Sequence, residues 1–216
     1  MRRLCWALVS VLVSMSGVVH GATLIEMSAE GAPVALVIDR PQQRVLVKGS
    51  ERRTWFDLSG GLVYHREGDG PTKRAHARYR PGHDRIAPYR IERFGPGPVV
   101  AGQASTYEVL FVNDRICAEL MVSGWMRPFL DPAIRTIALI QQTRSGERAD
   151  PCAEIPFATY AAAGWPLMAG KSDHPTLETQ TIAFDHKASA EELTPPADSI
   201  EVPLEHLRGA LGAYGF

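Results

Sequence analysis

Short apolar, β-branched runs separated by tight turns restrict this chain more than any other feature. Pro33–Asp39 ("PVALVID") and Arg44–Gly49 ("RVLVKG") flank the spacer "RPQQ". Two such runs so close together read as a hairpin. Arg53–His65 repeats the arrangement, with Ser59-Gly60-Gly61 as its turn. Ser105–Asp114 and Arg115–Ser123 make a third, with Asn113-Asp114 between the strands. There, two-residue alternation puts Tyr107, Val109 and Phe111 on one face. Thr176–His186 reads as a further long strand whose weak alternation suits lining rather than flush packing. Helical signals are sparse. Asp131–Thr143 has Asp131 at the N-cap and Pro132 at the first helical position. Ile134, Ile137 and Ala138 form its apolar stripe. Val202–Tyr214 reads as a short closing helix, weakened by its glycines. The pattern predicts a mainly β (α+β) fold: a curved antiparallel sheet or half-barrel closed by one or two helices, not alternating βαβ units. Such a sheet can enclose an apolar cavity.

The N-terminus points to export. Arg2 and Arg3 precede "LCWALVSVLVSMSGVV", and small residues follow at Gly21 and Ala22. This is the layout of a secretory signal peptide over residues 1–21, with cleavage after Gly21 and Val19 at the −3 position. The run falls short of the roughly 20 apolar residues that span a bilayer, although a retained N-terminal anchor is the alternative reading. No cysteine follows the cleavage region to accept a lipid. The expected location is therefore the periplasm, and residues 22–216 suit one domain with a sizeable core. Without Arg2 and Arg3, 21 bases face 24 acids, a balance that argues against general nucleic-acid binding. Cys5 leaves with the signal. Cys117 and Cys152 remain, and an oxidising compartment favours a disulfide between them over two buried free thiols.

Charge is unevenly spread. From Tyr64 to Phe94, eight bases accompany four acids, whereas acids dominate from Asp173 to Glu205. The basic segment reads either as a rim that meets lipid phosphates or an acidic partner, or as a solvated region complementing the acidic C-terminal part. His65, His76 and His83 match no compact metal-ligand spacing, so no metal is expected. Ser123 in "SGWM" lacks the glycine-flanked elbow of a nucleophile, and no Cys-x-x-Cys motif or phosphate-cradling glycine loop is present. The chain is expected to be no enzyme and to need no cofactor. Its aromatic residues would either line a lipid pocket or form ordinary core. The candidate ligand contacts are Arg74, Arg78, Arg80 and Arg85 for an anionic head group, with Phe111 and Trp125 for an apolar chain.

The stretch "YRIERFGPGPVVAGQASTYEVLFVNDRICAEL" resembles the strand, G-x-G turn, A-G step and following hairpin of LolA-like periplasmic proteins. The likeness is to little-characterised branches of that superfamily, not to the lipoprotein carrier itself. "GWPLMAG", "TLETQTIAFDHKA" and "EELTPPADSIEV" look like the end of such domains, so the resemblance spans roughly Pro33 to Val202. It consists of turns and strands, and it carries over no catalytic residue. Relatives often place a cysteine shortly after the A-G step, where this chain has Gln103-Ala104-Ser105. Cys117 matches the second cysteine position, which leaves Cys152 as its substitute partner, or leaves Cys117 free. The resemblance implies a half-barrel of about eleven strands with an apolar concave face. By the same resemblance, "PYRIERF" is a strand and "GPGP" a sheet-edge turn. The function expected is a soluble periplasmic protein holding a hydrophobic small molecule, lipid or lipidated protein. The alternative is an envelope interaction or accessory protein whose sheet is filled by its own side chains. Either would allow peripheral contact with a membrane or an envelope protein.

Overall fold

Turn chemistry sets the sheet. In the computed structural model, which describes residues 18–80, 88–144, 152, 155–171 and 174–216, β1 (Val18–Ala29) reverses at Glu30-Gly31 into β2 (Ala32–Asp39). Both turn residues have positive φ, 47° and 80°, as a two-residue hairpin turn with the sheet's own twist requires. β2 continues through Arg40–Gln43 into β3 (Arg44–Lys48), and β4 (Arg52–Asp57) follows. The Asp57 carboxylate then accepts hydrogen bonds from Ser59 Oγ (2.7 Å) and the Gly60 N–H (2.8 Å). That closure starts β5 (Leu62–Glu67), and β6 (Thr72–His76) pairs with it. β7 (Tyr89–Pro96) precedes β8 (Thr106–Val112) and β9 (Arg115–Ser123), whose hairpin turns at Asn113 and Asp114 with φ of 49° and 62°. All three predicted hairpins are present.

The helical segment comes next. A 3-10 turn (Gly124–Met126) runs into α1 (Arg127–Thr143), and α2 (Phe157–Tyr160) is a single turn. β10 (Trp165–Lys171) and the 16-residue β11 (His174–Ser189) return to the sheet. α3 (Ala190–Leu193), β12 (Ser199–Glu201), a 3-10 turn (Leu204–Leu207) and α4 (Arg208–Gly212) finish the chain. The 12 strands form one sheet in the order β12-β6-β5-β4-β3-β2-β1-β11-β10-β9-β8-β7. Its centre joins β1 to β11, so distant parts of the chain meet in the middle. The sheet is not closed into a barrel. It is also not wholly antiparallel, as expected from the hairpins, because β12 pairs with β6 in parallel. The connection from β11 through α3 carries the chain from the middle of the sheet to its edge, so β12 is not bound by the hairpin rule.

One face carries the main core. Ile25, Leu36, Val47, Phe56 and Val63 on one side of the sheet join Leu110, Leu120 and Leu167 on the other in a single buried cluster. α1 supplies its middle: Leu130, Ala133, Ile137 and Ile140 are all fully buried. A single helix can reach both halves of the sheet only if the sheet curves around it, so this face is concave. α1 begins four residues before the expected start, and Asp131 and Pro132 lie within it rather than at its N-cap. Met126 and Leu130 are fully buried, so the added turn covers apolar surface that a start at Asp131 would leave outside. Pro128 takes the early position where a missing N–H costs nothing. The predicted closing helix is broken into the 3-10 turn and α4, in keeping with Gly209 and Gly212.

The convex face carries a second, smaller cluster. Ala22, Val37, Leu46, Trp55 and Ala188 pack there under Leu193 of α3. At the sheet's edges, β7 is mostly exposed and carries an irregularity between Arg93 and Gly95, while β12 is three residues long. Arg93 donates from Nε and Nη2 to Oε1 of the buried Glu108, at 3.0 and 2.9 Å.

Cys117 of β9 is bonded to Cys152, with Cα atoms 5.1 Å apart and 35 residues of separation. The bond ties the outer strands to the segment that follows α1. Replacing both cysteines by serine should lower unfolding free energy by roughly 3–4 kcal/mol, the loop entropy of a closure this long. Urea midpoints of the oxidised and doubly substituted chains measure it. A loss below about 1 kcal/mol would mean that the loop is restrained without the bond.

Candidate functional site

The residues singled out from the sequence do not converge. Arg74 lies on the convex side of β6 and donates from Nη2 to Glu201 Oε2 at 2.8 Å, the β12 contact that the acidic C-terminal part supplies. Arg78 folds over Gly61, where the φ of 66° favours glycine and any side chain would have to push the arginine aside. Arg80 is docked through its backbone: its N–H donates to Gln142 Oε1 (3.3 Å), and its carbonyl accepts from Gln142 Nε2 (2.9 Å). Arg85 lies outside the described residues, as does His83. Phe111 sits on the convex side near the opposite edge, under the Arg90 guanidinium 4.2 Å from its ring centre. Trp125 belongs to the end where α1 begins.

That end is aromatic. Trp125, Phe129 and Phe184 form a triangle with ring centres 5.3–5.9 Å apart. Arg40 lies over Phe129 at 5.3 Å. Trp125 is 51% exposed and Phe129 41%, while Phe184 is partly buried against the main core. The cause is topological. β10 pairs with β11 only over His174–Glu178, so beyond this point β11 is bonded to β1 alone. The aromatic triangle covers the flank where the two strands part.

A buried polar relay lies at the other side of the trough. His65 of β5 faces Thr54 of β4 in register, and Thr54 Oγ1 is 2.9 Å from His65 Nδ1. The same hydroxyl is 2.8 Å from Tyr214 Oη, which also donates to the Val47 carbonyl at 3.3 Å. Burial pushes the Tyr214 phenol up to about 12, so it stays protonated and able to donate. Burial pushes His65 below the ordinary 6.5; Glu67 opposes this, while Arg52 and Lys73 reinforce it. The relay pins the C-terminal segment to β3 and β4. Among the described residues, no group of three or more His, Cys, Asp or Glu side chains is placed to hold a metal ion.

A groove that the sequence reading missed lies on the convex face. Lys48, Arg53 and Arg66 face one another across β3, β4 and β5, Lys48 opposite Arg53 and Arg53 opposite Arg66. Trp55 forms the floor, held by its indole N–H donating to the Glu192 carbonyl at 2.9 Å. The wall is α3 and the segment through Thr194, Pro195 and Pro196, and the cavity measures about 740 Å³. Lys48 is paired with Glu192. Neither Arg53 nor Arg66 makes an ion pair among the described residues; Arg66 instead lies 5.9 Å from the Trp55 ring centre. The turn at Ser59-Gly60-Gly61 fixes which residues oppose each other, so counting back from it puts Arg53 against Arg66. That was the signal available in the sequence.

No family model matches the chain, and no curated protein matches it. Among solved structures it is similar to PNGF-II at 8% identity with a TM-score of 0.46. The match covers 90% of this chain and 34% of that one, so this chain spans about a third of its length.

Two outcomes follow from the relay. The unfolded chain takes up a proton at a normal histidine value near 6.5, whereas folded His65 resists it. The stability it contributes is complete above that pH and falls as pH drops through the folded value, by up to about 1.4 kcal/mol per pH unit. His65→Gln should flatten the decline in melting temperature between pH 7.5 and 5; equal slopes would remove His65 from the acid response. Thr54→Val leaves two buried polar groups without their shared partner, and should cost about 1–3 kcal/mol in urea unfolding at pH 7.5.

Proposed function

We propose that this chain is a non-enzymatic envelope protein, LolA-like in plan, that fills its sheet with its own helix and acts through its outer surfaces. The observation that carries this reading is the packing of α1 along the concave face, where Ala133, Ile137 and Ile140 have no exposed surface. In a carrier of lipid, that face would be given over to the ligand. An export signal over residues 1–21 is compatible with the sheet. Cleavage after Gly21 would remove the start of β1 yet spare every β1–β2 pair, since that pairing begins at Thr23. No helix among the described residues is long and apolar enough to cross a membrane.

A second reading keeps a lipid or lipidated chain within the half-barrel. Trp125, Phe129 and Phe184 favour it, because they present half-exposed aromatic surface where β10 leaves β11. Native mass spectrometry of the chain purified from the periplasm separates the two. A bare protein mass, unshifted by added phospholipid, is the expected result. A stoichiometric lipid released on denaturation would overturn the self-filled reading in favour of the carrier. Recovery of the chain only in the cytoplasm, with residues 1–21 intact, would overturn the envelope assignment.

A further inference from the structure

The row Lys48–Arg53–Arg66 runs against the energetics of sheet pairing. Like charges at directly opposed positions destabilise adjacent strands, which lie only about 4.8 Å apart. Two opposed positions of one row are occupied this way in the same groove. Glu192 neutralises Lys48, and its backbone carbonyl fixes the indole of Trp55. Arg53 remains exposed, and Arg66 is half-buried with its guanidinium toward the Trp55 ring. Glu191 also lines the groove and opposes an anion, but it is one carboxylate against two uncompensated guanidinium groups. Beside the polar Ser189 and Thr194, the rest of the lining is apolar: Leu46, Trp55, Ala190, Pro195 and Pro196. A volume of about 740 Å³ is in the range of small-molecule sites.

We propose that this groove binds a small organic oxyanion, with its carboxylate or phosphate on Arg53 and Arg66 and its apolar body between Trp55 and Pro195-Pro196. Guanidinium pairs suit planar or tetrahedral oxyanions because each presents a fork of N–H donors. A ligand that neutralises both arginines removes the repulsion between β4 and β5, so binding also tightens the sheet. The inference is independent of the envelope reading, since it depends only on the register of three strands and the position of α3.

The test is calorimetric titration of the whole chain with phenyl phosphate, benzoate and inorganic phosphate, alongside sedimentation with phosphatidylglycerol vesicles. Phenyl phosphate or benzoate should bind, and inorganic phosphate should bind at least tenfold more weakly. Arg53→Gln/Arg66→Gln should lose at least tenfold in affinity while melting no lower than the unsubstituted chain, because the substitutions remove a like-charge pair. Equal binding of inorganic and phenyl phosphate would overturn the apolar half of the site. No binding of any small anion, or binding that the double variant retains, would overturn the site. Arginine-dependent sedimentation with vesicles and no small-anion binding would replace it with a membrane head-group surface. If the double variant melts lower, Arg53→Lys/Arg66→Lys keeps the charge and loses the fork; undiminished affinity there would exclude guanidinium recognition.

Discussion

The burial of α1 against the concave face is the contact on which the rest of the molecule depends. A sheet this wide has an apolar face that no hairpin can cover, and strands alone cannot remove it from water. α1 covers it from the centre and is covered in turn, since residues on several sides of the helix have no exposure. This accounts for the position of the other pieces. The C-terminal turn and α4 fill the part of the trough that α1 does not reach, bringing Leu207, Leu211 and Tyr214 to the core. The disulfide holds the segment after α1 near β9. α3 lies outside this arrangement and covers the convex cluster instead.

Polar groups in the interior serve this packing. Tyr214 enters an apolar region with a hydroxyl that needs a partner, and Thr54 and the Val47 carbonyl supply it. Gly215 follows with a φ of 77° and passes so close to the Ala29 carbonyl that a side chain would collide. Arg144, at the end of α1, donates to the Phe216 carbonyl. The last residues therefore contact β1, β3, β4 and α1 together. Removing them would uncover apolar surface and take the Tyr214 hydroxyl away from Thr54, which would keep His65 alone.

The legible parts of the fold were those in which local chemistry and global structure agree. Asn113-Asp114 and Ser59-Gly60-Gly61 specify turns on their own, so the strands beside them could be read directly. The Cys117–Cys152 bond was legible because the expected export signal set Cys5 aside and left two thiols to pair. β10 was hidden by Pro166, a residue that argues against an interior strand and is accommodated here beside a register irregularity. β1 was hidden because its first residues belong to the apolar N-terminal run, where the pattern of an expected export signal dominates the reading. The start of α1 was misplaced because Asp131-Pro132 is a sound local signal that burial of Met126 and Leu130 overrides. The candidate contacts were scattered because a basic stretch in sequence is divided by the pleat between faces and edges. The groove cations lie on three successive strands and become neighbours only through register.

An open sheet ends in two rows of peptide groups with no strand beyond them, and these are templates for uncontrolled addition of further copies. Here each end is blunted differently. β12 offers three residues, and Pro203 follows one residue later, so an incoming strand finds little to match. β7 is longer, but the irregularity at Gly95 and the proline after it break its line, while Arg90 and Arg93 project charge along it. Keeping the trough open rather than sealing it as a cylinder thus places the burden of resisting amyloid-like stacking on a handful of edge residues. Substitutions at Arg90, Gly95 or Pro96 bear on solubility more than on folding, whereas loss of Arg93 would also leave the buried Glu108 carboxylate unpaired.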